Sequence, residues 1–151
     1  MESTVRPARP SDADTIVDFN TRLAQETEHL TLDPALLALG VNALLMDATR
    51  GRYWVAETDG RVIGQISVTY EWSDWRNGWF WWIQSVYVLA EYRRLGVFRQ
   101  LFGHIHQLAM GETDVVGLRL YVENENHAAQ AVYADLGMTT IPFKLLQRRP
   151  L

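Results

Sequence analysis

The sequence predicts an α/β fold in a single domain over residues 1–151, with the element order β-α-α-β-β-β-α-β-α-β. Two hairpin signals, Asp59-Gly60 and Asn77-Gly78, each separate stretches rich in β-branched and aromatic residues. Two later strands each run into an amphipathic helix, the first at Gly96 and the second at Asn126. A length of 151 residues suits one domain with a sizeable core.

The first third of the chain predicts one strand and two helices. Thr4-Val5-Arg6 forms the first short strand, and Ser11 is the expected N-cap of the first helix. The second helix is expected to begin at Asp33-Pro34, because proline suits the first helical position. Leucines and valines at helical spacing supply the buried face of each helix.

Two hairpins and a closing strand complete the predicted sheet. Residues 53–58 and 62–72 form the first hairpin, and residues 79–88 follow the second turn. A later strand is expected at 118–122, and the last at 139–147.

Tryptophan is concentrated around the second hairpin turn. Such a density of indoles exceeds what one small hairpin can bury, so another surface is expected to cover some of them. We expect a homodimer contact there, with an aromatic pocket for an amine as the second interpretation. The residues concerned are Trp72, Trp75, Trp79, Trp81 and Trp82.

The composition argues against several classes of protein. A net charge of −4 disfavours nucleic-acid binding, which needs clustered basic residues. The absence of cysteine excludes disulfides, a cysteine nucleophile and thiolate metal sites. Because the histidines are scattered, no metal site is expected; they are His29, His104, His106 and His127. No apolar run reaches membrane-spanning length and no signal-peptide pattern opens the chain, so a cytoplasmic location is expected.

The junction after strand 79–88 has the features of a phosphate-binding loop. Gly96 lets the backbone approach a ligand, and Val97 opens a helix whose first N–H groups have no internal partners. The helix dipole also favours an anion at this end. The positive charges nearby are Arg93, Arg94 and Arg99.

This segment resembles motif A of the GCN5-related N-acetyltransferases, or GNAT family, in which an Arg/Gln-x-x-Gly-x-Gly/Ala loop binds the pyrophosphate of acetyl-coenzyme A. The loop here departs from that pattern at Phe98, which replaces Gly or Ala, although its N–H is retained. The resemblance implies a mostly antiparallel mixed sheet whose central strands splay apart around the pantetheine arm. It also implies cofactor contacts from Val86, Val88, Arg93, Arg94, Leu95, Gly96, Val97, Phe98 and Arg99.

A second motif follows about thirty residues later. Asn126, Ala129, Tyr133 and Gly137 are spaced like the family's motif B, Asn-x-x-Ala-x-x-x-Tyr-x-x-x-Gly. Positions three and four residues apart share one helix face. The resemblance implies that Asn126, Ala129 and Tyr133 contact the cofactor. It also implies that Tyr133 protonates the departing thiol, whose pKa is close to that of a phenol.

The general base is less clearly marked in the sequence. Many relatives place Glu or His on the motif A strand, where this chain has Gln84, which takes no proton. Glu26 and Glu28, near the end of the first helix, are the candidates that we select, acting through water. The alternatives in the sequence are His29, Glu71 and Glu123.

The sequence therefore predicts an N-acetyltransferase that transfers the acetyl group of acetyl-coenzyme A to a primary amine of a small molecule. The amine attacks the thioester directly in a ternary complex, without a covalent enzyme intermediate. One alternative is a non-catalytic module that binds or senses acyl-coenzyme A, which Gln84 keeps open. Another is acetylation of a peptide or protein amine.

Overall fold

The computed structural model describes all residues from Met1 to Leu151. Its elements are β1 (Thr4–Pro7), α1 (Ala13–Glu28), α2 (Pro34–Met46), β2 (Arg52–Thr58), β3 (Arg61–Ser73), β4 (Gly78–Val88), α3 (Val97–Gly111), β5 (Val115–Leu120) and α4 (His127–Asp135). By their internal contacts, Met1–Tyr121 and Val122–Leu151 form two compact units. The first unit contains the whole sheet and α1 to α3, and the second contains α4.

The sheet has five strands in the order β1-β2-β3-β4-β5. The first three neighbouring pairs are antiparallel, and β4 and β5 are parallel. This arrangement confirms the predicted α/β class and the mixed, mostly antiparallel sheet. The connection between the parallel strands is α3, as a parallel pair requires a crossover.

Helices cover both faces of the sheet in the first unit. On one face, Ile16 of α1 and Val41 of α2 pack with Tyr53 and Val55 of β2 in a buried cluster. On the other face, the Trp54 ring lies edge-on to His104 of α3, with centroids 6.4 Å apart. Because successive strand residues point to opposite faces, β2 contributes to both cores.

The first helix begins one residue later than the sequence suggested. Ser11 lies within a 3₁₀ turn, Pro10–Asp12, and Asp12 occupies the N-cap position of α1. The buried Asp12 carboxylate instead accepts hydrogen bonds from both terminal nitrogens of Arg6, at 2.8 and 3.1 Å, and from the Arg9 N–H at 2.7 Å. Local cap preference ranked serine and aspartate alike, and the tertiary partner Arg6 decided between them.

Other predicted boundaries are confirmed or shifted. Asp33 caps α2, its side chain accepting from the N–H groups of Ala35 and Leu36. Asp59 and Gly60 both have positive φ, as the first hairpin turn requires. The strand expected at 118–122 is instead β5, which begins and ends earlier.

The closing strand expected at residues 139–147 is not formed. No residue after Asp135 belongs to a helix or strand. The segment has an alternating apolar pattern, but a strand exists only when its backbone finds a pairing partner, which a pattern alone does not provide. Its side chains are exposed, among them Phe143 (79 %) and Leu146 (88 %).

We predict that Asp12→Asn lowers the free energy of unfolding by about 1–3 kcal/mol at pH 7, because it weakens charge-assisted hydrogen bonds to Arg6. Arg6 holds the pKa of Asp12 below its usual range. This stabilisation is therefore present above the unfolded-state pKa near ~4 and is lost as pH falls through the lower folded value. Urea unfolding at several pH values measures it.

The exposed Asp14 provides the control for that experiment. Asp14→Asn should change stability by less than about 1 kcal/mol, because only a helix-dipole interaction is lost. A parent-minus-Asp12→Asn difference that stays constant between pH 7 and pH 2.5 would show that the Asp12 carboxylate has no special role.

Candidate functional site

An opening in the sheet lies beside the last residues of β4. The parallel ladder ends with the pair Ile83–Leu120, which is also the end of β5, whereas β4 continues to Val88. The Leu89 N–H donates to the Ile63 carbonyl on the β3 side, at 2.9 Å. Since successive peptide groups of a strand point to opposite sides, the N–H and C=O groups of Val86 and Val88 point to the side where β5 is missing.

A β-bulge at Gln84 marks the point where the strands separate. Ser67 pairs with Ser85 and Val68 pairs with Ile83, so Gln84 is the extra residue of β4. Its side-chain amide donates to the Thr69 hydroxyl at 2.9 Å. A bulge leaves the extra residue outside the ladder and bends the strand. Gln84 is exposed and has no acidic proton-accepting group.

The loop between β4 and α3 presents backbone N–H groups. Arg94 (φ 64°) and Gly96 (φ 86°) are both left-handed, a conformation that glycine adopts freely and arginine adopts at a cost. The N–H groups of Leu95, Gly96 and Val97 donate to no group of the protein. A Cβ at Gly96 would meet nothing within 4 Å, so glycine serves the backbone angle there. Such a loop at a helix N-terminus suits an anion.

Phe98 occupies an apolar environment beside this loop. Its ring stacks on Phe102, one turn further along α3, with centroids 6.4 Å apart. Arg94 and Arg99 are exposed at the same end of α3. Leu101 and Ile105 anchor the helix in the core, where both are fully buried. The first turn of α3 is therefore held rigidly against the sheet.

Arg93 is held by the protein itself. Its Nε donates to the Val88 carbonyl at 2.9 Å, and a terminal nitrogen pairs with Glu26 at 2.9 Å. Its guanidinium also lies over the Tyr87 ring, 5.3 Å from the centroid. The sequence predicted Arg93 as a cofactor contact on its charge alone. In the structure it bridges the end of β4 and the end of α1.

Glu26 and Glu28 lie in different environments. The Glu26 carboxylate accepts the Arg93 pair and also the Tyr87 hydroxyl, at 3.3 Å. Glu28 is exposed and makes no ion pair. Burial raises the pKa of Tyr87, and the Glu26 charge adds to that shift. Tyr87 was missed from sequence, although its place between Val86 and Val88 put it on the opposite strand face.

Glu71 was a further base candidate in the sequence, and it is fully engaged. Its carboxylate accepts two hydrogen bonds from an Arg119 terminal nitrogen, at 3.1 and 3.2 Å, and one from the Trp82 indole at 2.8 Å. The Arg119 guanidinium lies 3.6 Å above the Phe80 ring centroid. Trp82 in turn packs on Tyr121, with centroids 4.5 Å apart. Strand register brought these residues together, and no sequence spacing indicated the cluster.

The hairpin buries part of its tryptophan surface by itself. Trp81 is buried, and Trp79 packs edge-on to Trp72 with centroids 4.9 Å apart. Trp72 (47 % exposed) and Trp75 (90 % exposed) remain open to solvent. The structure therefore leaves fewer exposed indoles than the sequence predicted.

The second unit contains the motif on α4. The Asn126 side chain caps the helix by accepting from the Ala129 N–H at 3.2 Å. Gly137 (φ 88°) ends it in the left-handed conformation typical of a helix C-terminus. Burial raises the pKa of Tyr133, which keeps its phenol protonated at neutral pH. The sequence predicted all three of these helix features correctly.

The described surface has few other candidate sites. Two depressions of about 330 and 480 Å³ are lined neither by Val86 and Val88 nor by residues 94–97. No group of three or more His, Cys, Asp or Glu residues is placed to hold a metal ion. None of the helices combines the length and apolar character needed to cross a membrane. The open end of β4 and the adjoining loop are thus the leading candidate site.

The chain belongs to the Acetyltransferase (GNAT) family, whose model matches residues 17–138. The match spans the β4 opening, the loop before α3 and the α4 motif. Motif A and motif B, identified from the sequence, therefore lie in the family's fold. Proteins of curated function provide no match to this sequence.

Solved structures support the same fold. A possible acetyltransferase from Clostridium difficile 630 is 46 % identical, with a TM-score of 0.94, covering 100 % of this chain and 99 % of its own. The aminoglycoside N-acetyltransferase AAC(6')-Iy in complex with coenzyme A is 14 % identical, with a TM-score of 0.81 and coverage of 99 % and 96 %. A ribosomal-protein-alanine N-acetyltransferase from Brucella melitensis biovar Abortus 2308 is 14 % identical, with a TM-score of 0.77 and coverage of 97 % and 99 %. The last two share the fold.

We predict that Arg93→Ala and Arg94→Ala differ in stability. Arg93→Ala should lower the free energy of unfolding by about 1–2 kcal/mol, because it leaves the Val88 carbonyl unpaired and removes the Glu26 pair. Arg94→Ala should change it by less than about 0.5 kcal/mol beyond the strain both residues share at φ 64°. Denaturant unfolding of the two variants compares them. Equal stability of the two would mean that Arg93 does not support the fold.

Proposed function

We propose that the protein is an N-acetyltransferase that transfers an acetyl group from acetyl-coenzyme A to a primary amine of a small molecule by direct attack in a ternary complex. The observation that carries this proposal is the run of N–H groups without protein partners, from Leu95 to Val97, beside the open edge of β4. Family membership supports acetyl transfer in general. The coenzyme A complex of a structural neighbour supports the choice of cosubstrate.

The proposed cosubstrate site divides between loop and strand. The N–H groups of residues 95–99 bind the pyrophosphate, with Arg94 and Arg99 adding positive charge. Backbone groups of Val86 and Val88 align the pantetheine arm along the open edge, and the same strand offers an N–H to the oxyanion. The Val88 carbonyl already accepts from Arg93, so Val86 has the larger share of that role. Asn126 and Ala129 remain proposed contacts from α4.

The proposed transfer is a single displacement. The amine nitrogen forms a bond to the thioester carbon, the carbon–sulfur bond breaks, and Tyr133 gives its proton to the departing sulfur. The amine loses a proton to a base, through water. We favour Glu28 over Glu26 for that base, because Glu26 is already paired with Arg93 and Tyr87. Neither role requires a covalent enzyme intermediate.

A non-catalytic acyl-coenzyme A binding module is the second candidate. The observation that favours it is Gln84, which stands at the bulge and donates to Thr69 where a proton acceptor would assist the amine. This module would keep the loop of Arg94 and Gly96 while needing neither Glu28 nor Tyr133.

Release of free thiol from acetyl-coenzyme A, measured across a panel of amines, separates these functions. The panel contains aminoglycosides, polyamines, amino acids and peptide N-termini, since neighbours include aminoglycoside and ribosomal-protein-alanine acetyltransferases. We expect at least one small amine to accelerate thiol release. We expect Gly96→Asp to abolish it by placing a negative charge in the phosphate loop. Acetyl-coenzyme A binding by calorimetry without turnover on any amine would favour the binding module.

We predict that Tyr133→Phe lowers turnover by about a hundredfold, because the ring is kept and the transferable proton is lost. The rate is measured at saturating acetyl-coenzyme A, with chemistry shown to limit it. Tyr70→Phe is the matched control, since Tyr70 packs against Trp79 and Trp81 and should retain full activity. Turnover of Tyr133→Phe within a factor of about three of the parent would assign the proton to water or another group.

Three further features of the protein are part of the proposal. The chain acts as one catalytic domain over residues 1–151, since the family match crosses the boundary between the two compact units. Its location is cytoplasmic. Its assembly is a homodimer, for which the exposed Trp72 and Trp75 offer one candidate surface.

A further inference from the structure

The C-terminal tail, residues 139–151, has the composition of a strand without the partner that a strand needs. Ile141, Phe143 and Leu145 alternate along the segment and are exposed to 47, 79 and 69 %. Alternation places their side chains on one face of an extended chain. Pro142 lacks an N–H, which is compatible with the start of a strand or with a strand edge. Apolar side chains in this number are rarely left in water unless another surface covers them.

The sheet has an open edge that matches this tail. β5 pairs with β4 on one side only, and it is the last strand of the sheet. Its outer edge therefore presents a row of backbone N–H and C=O groups, with Val116 half exposed beside them. β5 contains no proline, and its bulge lies near its beginning, between Trp79–Val115 and Phe80–Gly117. An edge of this kind accepts an added strand.

We propose that the tail of one subunit adds to the β5 edge of a second copy of this chain, and that the exchange is reciprocal. Within a single chain the tail forms no strand and β5 has no outer neighbour. Two copies supply each other with what each lacks, and a two-fold axis closes the assembly. The whole-chain match to the Clostridium difficile structure, which includes the tail, supports the tail as part of the fold. The inference does not depend on the reaction catalysed.

Charge favours an antiparallel addition to a second copy. The tail carries Lys144, Arg148 and Arg149 and no acidic residue, whereas the whole chain has a net charge of −4. The exposed Glu112 and Asp114 immediately precede β5. In an antiparallel pair the end of the tail lies opposite the start of β5, so its arginines meet these carboxylates. Complementary charge of this kind guides the register and orientation of association.

Sedimentation equilibrium of the full-length chain tests the proposal. We expect the parent to be a dimer at micromolar concentration. Phe143→Asp and Leu145→Asp should each raise the dimer dissociation constant by at least about tenfold, because each places a charge in the apolar contact. Both positions are exposed in the single chain, so the monomer should keep its circular dichroism spectrum. Trp75→Asp at the hairpin tip is the matched control and should remain dimeric.

Hydrogen exchange identifies the paired segments. In the parent dimer, the amides of residues 143–147 and of β5 should be protected, and Leu145→Asp should lose both. A monomeric parent would overturn the proposal, whether its tail amides are protected within its own chain or the chain binds anionic vesicles. A dimer that persists in both tail variants and dissociates in Trp75→Asp would also overturn it and assign the contact to the hairpin.

Discussion

The early end of β5 is the constraint on which the rest of the site depends. The ladder with β4 stops at Ile83–Leu120, so the last residues of β4 have strand partners on one side only. Unpaired backbone groups are costly when buried and useful when a ligand can bond to them. The same end of β4 leads directly into the loop with two left-handed residues. The open edge and the anion-binding loop are therefore adjacent by connectivity.

Arg93 shows how the scaffold uses a charge that appeared to belong to the ligand. A guanidinium offers several donors in a fixed plane, so one side chain joins the Val88 carbonyl to Glu26 and stacks on Tyr87. This fixes the start of the loop against α1, the element that carries the proposed base. The arginines left exposed at the loop, including Arg94, are better placed to meet a polyanion. Glu71 and Arg119 repeat the pattern near the hairpin, where an acidic candidate is occupied by the scaffold.

Local signals predicted most of the fold. The Asp33-Pro34 helix start, the Asp59-Gly60 turn, Gly96 and the Asn126 cap are each explained by residues close in sequence, and each was found in place. The errors arose where the outcome depends on distant partners. Ser11 was displaced as the cap because Arg6 recruits Asp12. Residues 139–147 have a strand pattern, yet no strand pairs with them in the single chain.

The sequence by itself determined the order of elements up to α4, the position of the loop around Gly96 and the motif on α4. Those features depend on backbone preferences and on spacings within one helix or turn. Tertiary structure alone decided that Glu26 is paired while Glu28 is free, that Trp81 is buried while Trp75 is exposed, and that Arg93 supports the fold. The physical reason is that burial and ion pairing depend on which side chains meet across the sheet. Strand register and helix packing set those meetings between residues far apart in sequence.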